Sequence, residues 1–318
     1  MAKGRKVLVT GASGFIGSAL CKAMVEQGDC IRAVVRSDPD SPVEGVTYLV
    51  RDLEAHGELT ELVTGVDVVV HLAGKAHGKG DPDEQSLEAF LATNLLPTQK
   101  LAEAALREGV DRFVFLSSIG VHGDQSRGTA ISEYSLEQPK TVYAESKLRA
   151  ERALRDVFRA SDTSFVIIRP ALVYGDNAPG NFGKLVRLCN SNLPLPLGMA
   201  VNRRSLVSVS SLVALIILCI EHAEARDNIF VAADRAPVST RALVSSLRTG
   251  MNRKARLLPI PDLLPRVGLA LLRRKALYQQ LFGDLVVDAT KAERLLGWEH
   301  EDDTLNEMHK IGQRAAKY

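Results

Sequence analysis

The chain has 318 residues, 46% of them hydrophobic and 25% charged, and 40 basic against 38 acidic side chains leave a net charge of +2. Those totals describe a globular protein with length for one large or two modest domains. The balanced charge gives no ground for a polyanionic partner, so no nucleic acid is expected.

The opening residues, "MAKGRKVLVTG", enter a strand at once, with no apolar signal segment. β-branched and apolar runs predict strands at 6–10, 31–35, 46–50, 66–72, 112–117 and 165–169. Helical patterns at 15–27, 53–63, 84–107 and 143–159 fill most of the gaps. Strands that are apolar throughout and alternate with helices predict a parallel sheet covered on both faces. Right-handed crossovers make this a doubly wound α/β fold of the Rossmann type. After Pro170 the rhythm changes: "VYGDNAPGNF" is rich in turn residues and "NLPLPLG" is a loop by its prolines. A strand is expected at 205–209, a helix at 210–222 and another strand at 228–233. The longest apolar run, Leu212 to Ile220, is far shorter than the roughly 20 residues of a membrane span. The tail, 239–318, reads as mainly helical, with breaks at Pro259, Pro261 and Pro265.

These elements divide the chain into a sheet domain at 1–176, with 205–233 returning to it, and a smaller, mainly helical lobe formed by 177–204 and 234–318. Cys21, Cys30, Cys189 and Cys219 have no metal-binding spacing and read as reduced thiols. The expectation is a cytoplasmic protein with no metal and no membrane partner.

"LVTGASGFIG", Leu8 to Gly17, places three glycines between a strand and a helix. Gly11 suits a tight turn, Gly14 lets a pyrophosphate approach the backbone, and Gly17 allows close packing of the helix. The helix N-terminus offers free N–H groups and partial positive charge to phosphates. The stretch Gly11, Ser13, Gly14, Phe15, Ile16 and Gly17 is therefore a candidate dinucleotide site; the plain alternative is a glycine-rich turn. The second strand ends at Arg36, where an acid would bind a ribose 2′-hydroxyl. An arginine there slightly favours NADP over NAD, although one stacking on adenine fits either. In "RDL", Asp52 and Leu53 follow the third strand. Asp52 can accept from an adenine amino group or cap a helix.

"YAESK" sets Tyr143 and Lys147 four residues apart, on one helix face. A phenol with a pKa near 10 is a poor base at neutral pH, and a nearby ammonium favours the phenolate. Tyr143 can then exchange a proton with a substrate hydroxyl while a nicotinamide exchanges hydride. Ser118, in "FVFLSSIGVHG", lies at the end of a parallel strand, where open α/β sheets bind ligands. Its hydroxyl suits the reacting oxygen; Ser117 is expected to bond backbone. His71 is expected to be a buried, hydrogen-bonded histidine.

With these motifs in this order, the chain resembles the extended short-chain dehydrogenases/reductases of the nucleotide-sugar epimerase/dehydratase type. The resemblance also covers "HLAG" (71–74), Asn94 in "NLLPTQKL", "RPALVYG" (169–175) and "DATKAERLLGW" (288–298). It implies that Leu72, Ala73, Gly74 and Pro170 line the cofactor and that Asn94 supports the fourth helix. The second half looks most like bacterial reductases of UDP-linked 4-keto-6-deoxy-N-acetylhexosamines, through "GNFGKL" (180–185), "LPLPLG" (193–198) and "NRRSLVSV" (202–209). By that resemblance Asn181 and Arg204 face a diphosphate; a turn asparagine and a solvated arginine are the alternatives. Arg203 replaces Arg204 if the register slips by one. Gln279 and Gln280 stand where relatives often carry another arginine, and His122 replaces a usual tyrosine. Dehydratases need an Asp-Glu pair after the serine position, and here Ile119 and Gly120 cannot move a proton. The expected activity is 4-keto reduction for surface polysaccharide synthesis. A UDP-sugar 4-epimerase holding NAD tightly, another reductase, or a non-catalytic dinucleotide sensor are the alternatives. Relatives pair through helices like those at 90–107 and 143–159, so a homodimer is expected.

Overall fold

The computed structural model describes residues 4–55, 57–76, 86–261, 263–271, 275–300 and 303–316. In the first half, β1 (Lys6–Thr10), α1 (Phe15–Glu26), β2 (Cys30–Val35), β3 (Val46–Val50), α2 (Thr60–Val63) and β4 (Val68–His71) come in turn. Then α3 (Leu87–Phe90), a π-helical turn (Leu91–Leu95) and α4 (Leu96–Arg107) form one run, followed by β5 (Arg112–Leu116), α5 (Val142–Val157) and β6 (Ser164–Pro170). Beyond it lie β7 (Leu172–Tyr174), α6 (Gly180–Cys189), β8 (Leu206–Ser208), α7 (Val209–Glu221) and β9 (Asn228–Ala232). The chain closes with α8 (Thr240–Gly250), α9 (Leu263–Leu271), α10 (Lys275–Phe282), α11 (Thr290–Leu296) and α12 (Thr304–Ala315).

Seven parallel strands form the main sheet in the order β3-β2-β1-β4-β5-β6-β9. The order reverses between β1 and β4, which opens a crevice at their carboxyl ends. The continuous apolar strands are explained by burial on both sides. Val7 and Val9 of β1 pack with α1 and α7, whereas Leu8 packs with α2, α4 and α5. A third cluster gathers Tyr174, Phe182, Leu206, Leu243, Leu247, Met308 and Ile311 from the second half. The expected doubly wound sheet is present, with a helical C-terminal region beside it.

Three expectations need correction. Among the described residues of the proposed helix 53–63 only 60–63 are helical, because the Asp52 carboxylate accepts from Glu54 N–H at 2.9 Å and fixes a turn instead. Of the strands in 205–233, only β9 joins the main sheet; β8 pairs with β7 in a separate two-stranded parallel sheet. Pro265 does not break the tail: it sits in the first turn of α9, where its missing N–H costs no helical bond. Residues 84 and 85 of the predicted helix 84–107 lie outside the described residues. The four cysteines are unpaired. Among the described residues no helix is long and apolar enough to cross a membrane.

Candidate active site

The glycine turn closes β1 onto α1. Gly11 has φ +69°, and a Cβ there would lie 2.8 Å from the Ala73 nitrogen, so both conformation and space require glycine. At Gly17 a Cβ would meet the Gly11 carbonyl oxygen at 2.2 Å, so α1 seats directly on the turn. Gly14 differs: it is exposed and a Cβ would meet only the Gly11 oxygen, at 3.1 Å. Gly14 is also the N-cap of α1, with no side-chain cap and no acid in the first turn. The helix thus presents its first N–H groups outward, a cradle suited to a pyrophosphate. Ser13 is exposed there, and Phe15 and Ile16 are half-buried.

Beside this turn, the end of β4 is held by a buried polar relay. Thr98 donates to the Asn94 carbonyl at 2.6 Å, so it accepts from His71 Nε2–H at 2.9 Å. His71 Nδ1 then accepts from the Thr10 hydroxyl at 2.6 Å, and Thr10 in turn accepts from the Ala73 N–H at 3.3 Å. Burial, then the nearby Lys147 charge, push the His71 pKa down to about 3. His71 is a buried, bonded, neutral imidazole. Asn94 lies on the π-helical turn; its side chain accepts from Lys75 N–H at 2.8 Å and donates to Ser146 at 2.9 Å. It therefore ties the loop after β4 to α5. Gly74 fits between these groups: a Cβ there would lie 3.1 Å from Asn94 Oδ1 and 3.2 Å from Lys147 Nζ. Leu72 and Ala73 are half-buried alongside.

Ser118 lies just past β5, and its hydroxyl accepts from Gly120 N–H at 3.1 Å. Thr141 caps α5 and starts the helix just before Tyr143. The Tyr143 ring packs edge-on against Phe90 at 6.3 Å. Burial pushes the Tyr143 phenol up to about 12, and a hydrogen bond with Ser118 pulls against it. The expected depression by Lys147 is not seen: burial dominates the phenol, and the ammonium donates to the Leu116 carbonyl instead. Lys147 Nζ donates to the Leu116 carbonyl at 2.8 Å and sits 4.5 Å from the Phe115 ring centroid. Burial lowers its pKa to about 8, with Glu151 opposing. Ser118, Tyr143 and Lys147 thus converge at the carboxyl end of β5, near the glycine turn.

Behind them lies an ionic network that was not legible in the sequence. Arg169 of β6 grips the buried Glu151 of α5 through Nε at 3.0 Å and Nη2 at 2.5 Å. Its Nη2 also reaches Glu137 at 2.7 Å, and Nη1 donates to His122 Nε2 at 2.9 Å. Burial, then the Arg169 charge, lower the His122 pKa. Ser117 donates to the Glu151 carboxylate, not to backbone as expected, because Glu151 brings a charged acceptor to the end of β5. The only local hint was Glu151 standing one turn after Lys147.

The substrate-side candidates meet in a different way. Arg204 Nη1 donates to the carbonyls of Gln279 at 3.2 Å and Gly283 at 3.1 Å. Asn181 Nδ2 reaches Gln280 Oε1 at 3.4 Å, and Gln125 donates to Gln279. Arg204 is thus partly buried and engaged rather than solvated, and Arg203 is exposed. Arg36 is exposed just past β2, Asp52 is exposed in its turn, Leu53 is buried, and Pro170 is buried at the end of β6.

The sequence pattern of the NAD dependent epimerase/dehydratase family matches residues 7–233. The chain belongs to this family. A relative from Vibrio cholerae described as UDP-glucose 4-epimerase is 33% identical over 309 residues, spanning 96% of this chain and 94% of that protein. An Escherichia coli O157:H7 N-acetyl-alpha-D-glucosaminyl-diphospho-ditrans,octacis-undecaprenol 4-epimerase is 26% identical over 264 residues, spanning 82% and 77%. Among solved structures, a UDP-glucuronic acid 4-epimerase from Bacillus cereus in complex with NAD superposes with TM-score 0.79 at 21% identity, covering 98% and 96%. MoeE5 in complex with UDP-glucose and NAD gives 0.78 at 24%, covering 98% and 100%; both establish the likeness of fold. This member of the epimerase/dehydratase family is an NAD-dependent enzyme of the short-chain dehydrogenase/reductase type. The family's use of NAD lends nothing to the NADP preference drawn from Arg36.

Proposed function

We propose that this enzyme exchanges hydride and a proton at C4 of a UDP-linked hexose, with NAD(H) held on the Gly11–Gly17 turn. The observation that carries this reading is the convergence of Ser118, Tyr143 and Lys147 beside that turn. The open N-terminus of α1 suits the cofactor pyrophosphate, and Gly74 leaves space next to Lys147 and Asn94. The bound dinucleotide supplies hydride transfer. The chain supplies the rest: Ser118 holds the reacting oxygen, Tyr143 exchanges its proton, and Lys147 binds the nicotinamide ribose and adds positive charge beside the phenol. Asn181 and Arg204 hold the diphosphate, Arg204 through its planar fork.

Two finer readings part after C4 is a ketone. A 4-epimerase rotates its own keto intermediate and returns the hydride to the other face; the 4-epimerase relatives support this reading. A reductase takes up a UDP-4-keto-6-deoxy-N-acetylhexosamine from solution. The resemblance around Asn181 and Arg204 supports it. Ile119, buried directly after Ser118, and Gly120 leave no acid–base pair for water elimination, which argues against a dehydratase. We further propose a substrate lobe of 177–204 with 234–318 and a homodimer through α4 and α5.

One assay separates the readings. UDP-4-keto-6-deoxy-GlcNAc is offered with NADH and, separately, NADPH, and UDP-GlcNAc is offered without added cofactor. Reduced cofactor consumed in the first arm and no 4-epimer in the second assigns the reductase; the reverse assigns the epimerase. Tight cofactor binding with no turnover in either arm removes the proposal.

A further inference from the structure

α9 turns the wrong face outward for a helix bathed in water. Leu263, Leu264, Val267 and Leu271 are 66%, 63%, 47% and 80% exposed, and none of the helix's residues is buried. The spacing 263, 267, 271 is i, i+4, i+8, so with Leu264 they form a single apolar stripe. The stripe does not stand alone. The loop 193–201 is bonded to the strand-like segment leading into α9: Leu195 N–H donates to Arg256 O at 3.0 Å and Leu258 N–H to Leu195 O at 2.8 Å. That loop exposes Leu193 and Val201, at 61% and 70%, and Leu258 is exposed on the adjoining segment. Exposed apolar side chains gathered on neighbouring, hydrogen-bonded segments of this kind mark an interaction site.

Its border is basic. Next to Leu193 and Leu258 lies a surface cavity of about 480 Å³ whose wall includes Asn192, Arg253, Lys254 and Arg256 and no acidic residue. Arg248 braces the cavity from behind, donating to the carbonyls of Leu193 at 2.7 Å and Ser191 at 3.3 Å. Among the described residues the guanidinium groups of Arg253 and Arg256 bond only Asn192, through its side chain at 2.6 Å and its carbonyl at 3.1 Å. Their charges are therefore not neutralised by any carboxylate among the described residues. From 253 to 275 the sequence carries seven basic residues and one acid, in a chain whose net charge is +2.

We propose that α9 and the 193–201 loop dock this enzyme on an anionic lipid bilayer surface. Apolar side chains enter the acyl boundary, and Arg253, Lys254 and Arg256 lie at the level of the headgroup phosphates. An apolar stripe flanked by cations is the pattern of a helix lying in the membrane interface, and it needs no spanning segment. A second copy of this chain fits worse, because two basic borders would face each other.

The test is cosedimentation of the full chain with vesicles of phosphatidylcholine containing phosphatidylglycerol, and with vesicles of phosphatidylcholine alone. Binding to the first and not to the second, weakening as salt is raised, is expected. Leu264→Glu with Leu271→Glu lowers partitioning by roughly ten-fold or more per leucine. Lys254→Ala with Arg256→Ala lowers it by about five-fold per cation. NADH affinity is unchanged in both variants, which separates this proposal from the reading of the active site. No binding to anionic vesicles overturns the proposal, as does binding that Leu264→Glu with Leu271→Glu leaves intact. A vesicle-free dimer that this double variant dissolves also overturns it and assigns the surface to a second copy.

Discussion

Two buried polar networks lie under the candidate active site, each containing a histidine, and they are built on opposite principles. Under the cofactor turn, Thr10, His71, Thr98 and Asn94 are all uncharged, and each proton has one acceptor. Under the end of β5 with Ser118, Tyr143 and Lys147, Arg169 holds Glu151 and Glu137 in a charged cluster that also takes in Ser117 and His122. A neutral relay fixes geometry at little cost in desolvation. A charged one is expensive to bury, and it is held by multiple bonds between ions. Its return is electrostatic: Glu151 opposes the loss of the Lys147 charge.

This difference is broken most severely at the ionic end. Glu151→Gln leaves Arg169 buried with only Glu137 as an anionic partner, at an expected cost of about 3–5 kcal/mol in urea unfolding. It also lowers the pKa at which Lys147 titrates, so the alkaline limb of the pH–rate profile moves to lower pH. An unshifted profile with the stability loss would leave Glu151 a structural role alone.

Lys147→Met acts in the other direction. The Lys147 pKa is lowered to about 8, so the folded state pays to keep the ammonium at neutral pH. Removing it stabilises the protein at pH 7 by roughly 2–3 kcal/mol while abolishing turnover. As pH rises from 8 toward 10.5 the folded wild type sheds the proton before the unfolded chain does. Wild-type stability therefore rises, and the advantage of the variant fades. Thermal unfolding of both proteins at pH 7 and pH 10 checks this.

The smallest effect belongs to the neutral relay and appears only in acid. His71 has a pKa near 3 when folded, below its unfolded value of 6.5. Its contribution is intact above pH 6.5 and is lost as pH falls toward 3. At pH 5 the wild type loses about 2 kcal/mol from this group, and a His71→Gln variant lacks that loss. Equal slopes between pH 7 and pH 5 for the two proteins would contradict a neutral, desolvated His71.

The same contrast explains what was legible in the sequence. Gly11, Gly14 and Gly17 announce themselves because a turn and a helix start constrain consecutive residues. Tyr143 and Lys147 do so because one helical turn puts them on one face. His71 read correctly as a bonded core residue, since an apolar strand leaves it few other fates. Arg169 was hidden in a strand otherwise apolar, and its partners Glu151, Glu137 and His122 come from three other segments. Only the sheet order brings them together. Asp52 suited an adenine amino group or a helix cap; its carboxylate fixes a turn rather than a cap, a choice between two local bonds that spacing does not decide. The arrangement of Asn181 and Arg204 depends on Gln279, Gln280 and Gly283, far along the chain, and so lay beyond pattern reading.

The account rests on the Tyr143 phenol being the proton donor and acceptor at the reacting carbon. Tyr143→Phe keeps the ring against Phe90 and removes only the hydroxyl. Turnover of the substrate identified by the paired assay should fall by about 10²–10⁴-fold, while the affinity for NADH, followed by fluorescence titration, stays within roughly two-fold of wild type. Turnover that survives the substitution, or a loss of activity fully explained by lost cofactor binding, would contradict it.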